Sequence, residues 1–175
     1  MLKRLLTYAP IAYCIIASLV FLDSLRFKFT NAPETQVIFG KLDAWAASFG
    51  AAGLFAQTGL FSQYVIGTAE LLASGLLVAS LVPGLKRLRA AGALIAAAVM
   101  TGAVSFHLFT PLGIDPNNDG GGLFMMAVVV WLSSLAMLFG NRAILADLLR
   151  AIAAVFVPKG FAPHSKGLHP APVQS

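Results

Sequence analysis

Four apolar stretches, each about 20 residues long, constrain the fold of this chain more than any other feature. A helix of that length can cross the hydrocarbon core of a bilayer with its backbone hydrogen bonds satisfied internally. Only 11% of the residues are charged, whereas a soluble domain normally carries about a quarter. The sequence therefore predicts an all-α polytopic membrane protein, a bundle of four transmembrane helices at about residues 5–27, 61–82, 90–109 and 122–139.

Two further helices are predicted outside these spans. Residues 31–34 resemble a helix N-terminus, with Asn31 as the N-cap and Pro33 in the first turn. Apolar residues then recur on one helical face, which predicts a helix on the outer, periplasmic-side membrane surface or capping the bundle. That face consists of Ile38, Leu42, Trp45 and Phe49.

The C-terminal part of the chain predicts a second amphipathic helix and a tail. Residues 142–157 alternate apolar and charged side chains with helical spacing, which is typical of a helix lying on the cytoplasmic membrane surface. Residues 158–175 are rich in proline, glycine and polar residues, and we expect them to form a disordered cytoplasmic tail. Residues 1–157 are thus predicted to be a single membrane domain.

The distribution of basic residues predicts the topology. If the N-terminus is cytoplasmic, nine of the 12 Lys and Arg residues lie on the cytoplasmic side, and only Arg26, Lys28 and Lys41 lie outside. Because Lys and Arg concentrate in cytoplasmic loops, we expect a multi-pass protein of the inner (plasma) membrane with both termini cytoplasmic. This topology accounts for the net charge of +5 without a nucleic-acid partner.

Ionisable residues inside the predicted spans are the candidate functional residues, because a charge in a bilayer needs a partner, a water-filled cavity or a role. Glu70 lies deepest, and His107 and Asp23 lie near the outer ends of their spans. If these side chains face inward, they form an outward-facing ligand or proton pocket with Arg26 and Lys28 at its rim. The alternative is structural: Glu70 bonds to a neighbouring helix or to Arg26, and His107 bonds to a backbone carbonyl or a carboxylate.

The sequence contains no complete metal-binding motif and no recognisable enzyme motif. Asp115, Asn117 and Asp119 match the first half of a calcium-binding loop, but Met126 stands where its bidentate glutamate belongs. We therefore predict a polar turn and no metal site, with a weaker, exposed calcium contact as the alternative. With one cysteine, Cys14, and no nucleotide, hydrolase or haem motif, the sequence indicates no catalytic residues.

Small residues at four-residue spacing predict close packing between the second and third spans. They would allow the two helix backbones to approach each other, or they would serve contacts between copies of the chain in a homo-oligomer. These residues are Gly67, Gly75, Ala79, Gly92, Ala96, Ala98 and Gly102.

The order of these features resembles the DoxX-like family of small four-helix membrane proteins. The resemblance rests on short motifs between about residues 5 and 139. Leu25 departs from it, since family members often have glycine there. The matching residues are Arg26-Phe27-Lys28-Phe29, Gly67-Thr-Ala-Glu70-Leu71-Leu72 with Gly75, Pro83 with its basic turn, and Met100, Gly102 and His107.

The resemblance implies an inner-membrane protein linked with respiratory, redox or stress functions, in which Glu70 and Lys28 match recurrent polar positions of the family. Our first hypothesis is a non-catalytic accessory subunit of a membrane redox or stress-response complex. Its pocket would hold a lipid, a quinone as candidate cofactor, or a residue of a protein partner. The alternative is a small permease or proton-coupled carrier in which Glu70 titrates. A quinone-linked oxidoreductase subunit is a weaker third hypothesis, because no cofactor ligand set is visible.

Overall fold

The computed structural model describes residues 2–156, and this part of the chain contains six α-helices and no strand. The predicted all-α class is therefore confirmed. The tail predicted at residues 158–175 lies outside the described residues. The helices are α1 (Leu2–Phe29), α2 (Pro33–Ala47), α3 (Gln63–Ala79), α4 (Leu88–Phe109), α5 (Gly122–Gly140) and α6 (Arg142–Phe156).

Three of these helices are long and apolar enough to cross a membrane. They are the segment Thr7–Phe29 of α1, the whole of α4 and the whole of α5. Fewer than half of the residues in each segment are buried, and large apolar side chains such as Ile15 and Leu19 point outward. Water disfavours an apolar outer surface of this extent, whereas lipid chains cover it readily. The structure thus indicates a membrane protein with three candidate spans.

Helix α3 is shorter than the second predicted span. It begins after Ser62, whose hydroxyl accepts the Val65 N–H at 3.3 Å as an N-cap. It ends at Ala79, and tight turns carry the chain to Pro83. Its 17 residues extend about 26 Å, slightly less than the hydrocarbon thickness of about 30 Å. The fourth transmembrane helix therefore stays a prediction.

Helices α1, α3, α4 and α5 pack in a closed ring, each against two neighbours. Neighbours run antiparallel. The end of α3 meets the start of α4, where Leu77 lies against Gly92, and the end of α4 meets the start of α5, where His107 contacts Phe124. The close approach of the second and third predicted spans is thus observed. The shared core consists largely of small and medium side chains, such as Ala93, Ala96 and Val130.

Helix α2 packs across one end of this ring, which we call the α2 end. Leu42 is buried there with Phe55 and Leu112, and Ile38 and Trp45 are partly buried against them. Phe49 lies beyond the last residue of the helix and is 58% exposed, so the predicted apolar face ends one turn earlier.

The predicted N-cap of α2 is wrong. Ala32 occupies the N-cap position, without a side-chain hydrogen bond, and Pro33 begins the helix. Asn31 instead adopts a left-handed conformation (φ 56°), in which its side chain turns toward the loop before α3. Asparagine tolerates this conformation better than most residues do.

Candidate functional site

A buried ion pair joins α1 to α3. The Lys28 ammonium donates to both carboxylate oxygens of Glu70, at 3.0 and 2.9 Å, and also to the Ser24 hydroxyl. The Glu70 side chain is 3% exposed and that of Lys28 is 14% exposed. Because two charges at this depth are costly unless they are paired, the direct contact between the two side chains offsets part of the cost of burying them.

A network of amide side chains holds the backbone around this ion pair. The Gln63 amide donates to the Lys28 carbonyl oxygen at 2.8 Å and to the Asn31 side-chain oxygen at 3.0 Å. Gln36 donates to the Gln63 side-chain oxygen at 2.8 Å, and Gln57 donates to Asn31 at 2.9 Å. These glutamines are not among the site residues predicted from the sequence. They connect the end of α1 to the start of α3 and to α2, and so fix the position of Lys28.

Glu70 and Lys28 line a cavity of about 960 Å³ at the α2 end of the bundle. Residues from α1 to α5 contribute to its wall. Of the predicted site residues, Asp23 and His107 also line it. Most other lining side chains are apolar, and they include Phe27, Phe55, Phe61, Met100, Phe106 and Leu112. The volume lies within the range of small-molecule sites in proteins.

His107 presents one free ring nitrogen. Its Nδ1 lies 2.6 Å from the Gly113 carbonyl oxygen, and because a carbonyl only accepts, Nδ1 carries the proton. Nε2 can then act as an acceptor, and no described residue forms a hydrogen bond with it. The ring is 5% exposed and lines the cavity. A hydroxyl group inside the cavity would be a suitable partner for Nε2.

Arg26 does not line the cavity. Its guanidinium pairs with Asp23 at 3.1 Å, both side chains are about two-thirds exposed, and it also stacks over the Phe27 ring. Glu70 therefore pairs with Lys28 and not with Arg26. The structure brings Glu70, Lys28, Asp23 and His107 to one cavity and leaves Arg26 outside it.

The segment that resembles the first half of a calcium-binding loop forms a turn that caps the start of α5. The Asp115 carboxylate accepts the Asp119 N–H at 2.8 Å, and the Asp119 carboxylate accepts the N–H groups of Gly121 at 3.0 Å and Leu123 at 2.8 Å. Asn117 lies in the same loop and lines the cavity. Within residues 2–156, no three His, Cys, Asp or Glu side chains are grouped so as to hold a metal ion.

Replacing Asp119 by alanine is expected to destabilise the protein in a pH-dependent way. The Leu123 N–H is the main group that holds the pKa of Asp119 below its usual value. A lowered native pKa stabilises the fold fully above the unfolded pKa of about 3.9, and this contribution is lost as the pH falls through the native pKa. Thermal unfolding in detergent should therefore show a lower Tm for Asp119→Ala than for the wild type at pH 7. The two Tm values should converge as the pH falls below the native pKa of Asp119.

The matched control for this prediction is Asp147→Ala. Asp147 is also exposed, but it contacts the Arg150 guanidinium and caps no helix. Equal losses of Tm in the two variants at pH 7 would contradict a capping role for Asp119.

Comparison of the chain with models of known protein families, with curated proteins and with solved structures finds no match.

Proposed function

We propose that this protein is a four-span member of the DoxX-like family that binds a lipophilic ligand and serves as a non-catalytic accessory subunit of a membrane redox or stress-response complex. The observation that carries the proposal is the cavity of about 960 Å³, in which Glu70, Lys28 and His107 lie among apolar and aromatic side chains. The redox and stress association comes from the sequence resemblance alone.

The proposed membrane arrangement places α1, α3, α4 and α5 across the bilayer. Helix α3 is apolar and packs between α1 and α4, and 17 residues lie at the short limit for a span. The cavity then opens toward the outer side, α2 covers the bundle there, and α6 lies on the cytoplasmic surface. The excess of basic residues at the α6 side agrees with the positive-inside rule.

The chemistry of the cavity favours a ligand with a long apolar part and a small polar head. Aromatic and aliphatic side chains would hold the apolar part, and His107 Nε2 would accept a hydrogen bond from a hydroxyl group. The buried Lys28–Glu70 pair supplies fixed polar groups on the α1 and α3 wall. A quinone, whose reduced form carries hydroxyl groups, is the candidate that fits both requirements.

Binding of a short-chain ubiquinone analogue, in its oxidised and reduced forms, tests the ligand. We expect saturable binding to the purified full-length protein, measured by native mass spectrometry and tryptophan fluorescence. Ala98 lines the cavity and is exposed, so Ala98→Phe should fill part of the space and weaken binding at least tenfold. Ala136, which is exposed on α5 away from the cavity, gives the control Ala136→Phe. Equal binding by the two variants would overturn the proposed site.

The accessory role is tested by isolating the protein from its own membrane in mild detergent. A stoichiometric redox or stress protein in the native mass spectrum is the expected result. The carrier hypothesis is favoured by one observation, that Glu70 lies on the cavity wall. A carrier would lose flux in liposomes when Glu70 is replaced by Gln while remaining folded. If the protein is isolated without a partner and Glu70→Gln abolishes flux, the carrier hypothesis replaces the accessory-subunit proposal.

A further inference from the structure

Charges in this protein are separated between the two ends of the bundle. Six of the seven Asp and Glu residues of the sequence lie at the α2 end, in α1 to α3 or in the α4–α5 loop. The seventh, Asp147, lies on α6 and pairs with Arg150 at 2.8 Å. The opposite end carries Lys86, Arg87 and Arg89 beside the start of α4, and Arg142 at the start of α6.

These four cations, which we call the basic patch, have no anionic partner in the part of the chain that the structure describes. Among residues 2–156, none of them forms an ion pair. Lys86, Arg87 and Arg142 are exposed. Arg89 is half-buried, and its Nε donor is buried without an acceptor, so its guanidinium has hydrogen-bonding capacity that no described residue meets. The basic patch therefore offers hydrogen-bond donors and positive charge to an anionic group of another molecule.

The position of the patch indicates which molecule that is. Arg89 lies in the first turn of α4, and Arg142 follows the last residue of α5 by two positions, so the patch lies where two candidate spans end. Lipid headgroups occupy this depth in a bilayer.

Helix α6 adds an apolar surface beside the patch. It follows α5 after a single residue and contacts α4 and α5, and none of its residues is buried. Leu145 rests on the core, while Ile152, Val155 and Phe156 are exposed, the last two by about 80%. An exposed apolar face next to unpaired cations is typical of a helix lying in the headgroup region.

We propose that the basic patch and α6 form a binding site for anionic phospholipid. The headgroup phosphate accepts hydrogen bonds from the patch, and the acyl chains lie along the apolar face of α6. Arginine suits this role because its planar guanidinium donates two parallel hydrogen bonds to phosphate. The inference rests on the proposed membrane arrangement but not on the ligand of the outer cavity.

Native mass spectrometry of the full-length protein with equal amounts of phosphatidylglycerol and phosphatidylcholine tests the proposal. We expect preferential retention of phosphatidylglycerol, which declines as the salt concentration rises. Each surface cation contributes about 1 kcal/mol to the attraction of anionic lipid, so Lys86→Gln should weaken retention roughly fivefold. The double variant Arg87→Gln with Arg142→Gln should weaken it roughly 25-fold.

Lys41→Gln is the matched control, because it removes one exposed lysine charge from α2 at the other end of the bundle. It should leave phosphatidylglycerol retention unchanged. The proposal is overturned if the wild type does not prefer phosphatidylglycerol, or if Lys86→Gln and Lys41→Gln behave alike. It is also overturned if an acidic protein, and not lipid, occupies the patch in preparations from native membranes.

The same samples separate this inference from the proposed cavity function. Lys86→Gln should bind the ubiquinone analogue like the wild type, and Ala98→Phe should retain phosphatidylglycerol like the wild type. Loss of quinone binding with intact lipid selectivity would reject the cavity ligand alone. The reverse result would reject the lipid site alone.

Discussion

Replacing Glu70 by leucine is expected to destabilise the protein by about 3–5 kcal/mol, the usual cost of leaving one charge of a buried pair without its partner. The Lys28 ammonium would keep only the Ser24 hydroxyl as a hydrogen-bond partner, since its two other hydrogen bonds go to Glu70. Reversible unfolding of the full-length protein in mixed micelles with rising SDS measures the change. Lys28→Met should cost a similar amount, because it leaves the Glu70 carboxylate buried.

The double variant Lys28→Met with Glu70→Leu distinguishes pairing from simple packing. Replacing both charges by apolar groups removes the need for either charge to be buried, so the double variant should be more stable than either single variant. The exposed pair of Asp23 and Arg26 provides the control, and Asp23→Ala should cost less than about 1 kcal/mol. Additive losses in the double variant would show that Lys28 and Glu70 do not stabilise each other.

The ion pair also bears on the carrier hypothesis. A carrier needs Glu70 to gain and lose a proton during transport, whereas the structure holds the carboxylate against an ammonium at 2.9 Å. Glu70→Gln keeps the side-chain shape and one acceptor for Lys28. If stability falls in this variant while ligand binding persists, the principal role of Glu70 is to join α1 to α3.

The helical architecture could be predicted because it depends on local patterns. Apolar runs of about 20 residues mark α1, α4 and α5 regardless of what surrounds them. Gly140 and Pro33 likewise allowed the end of α5 and the start of α2 to be predicted close to where the structure has them. Helix α3 is shorter than the predicted second span, because Phe61, Leu81 and Val82 are apolar but lie outside the helix.

The candidate site was only partly predictable, because it depends on contacts between distant residues. Glu70, Lys28, Asp23 and His107 stand out as ionisable residues in apolar surroundings, and they do line one cavity. Their pairing does not follow from the sequence. Lys28 and Arg26 are both within reach of the same region, and only the rotation of α1 directs Lys28 toward α3.

The glutamine network was missed for a similar reason. Gln63 follows the predicted start of an apolar stretch by two residues, where a polar residue is usually solvated. In the structure it is 1% exposed, since it fills the junction between α1, α2 and α3. The only local sign that Gln63 is buried is its position at the edge of an apolar run, and many solvated polar residues occupy the same kind of position. The altered role of Asn31 has the same origin, because its oxygen accepts from this network and does not cap α2.

Introducing a side chain at Gly92 is expected to force α3 and α4 apart. A Cβ atom there would lie 2.9 Å from Leu77 Cγ and 3.2 Å from the Ala73 carbonyl oxygen. Leu77 is fully buried and the carbonyl belongs to the α3 backbone, so neither can move without a shift of the helix. Overpacking of this kind typically costs about 1–3 kcal/mol, and we expect Gly92→Ala to fall in that range and Gly92→Val to exceed it.

Gly75→Ala is the control, since nothing lies within 4 Å of a Cβ atom at that position, and the same SDS titration should show no loss of stability. Ala73 and Leu77 follow Glu70 by three and seven residues on the same face of α3. A shift of α3 away from α4 would therefore also move Glu70 relative to His107, and Gly92→Val should weaken binding of the ubiquinone analogue. If Gly92→Val and Gly75→Ala unfold at the same SDS concentration, the contact between α3 and α4 at Gly92 does not hold the cavity together.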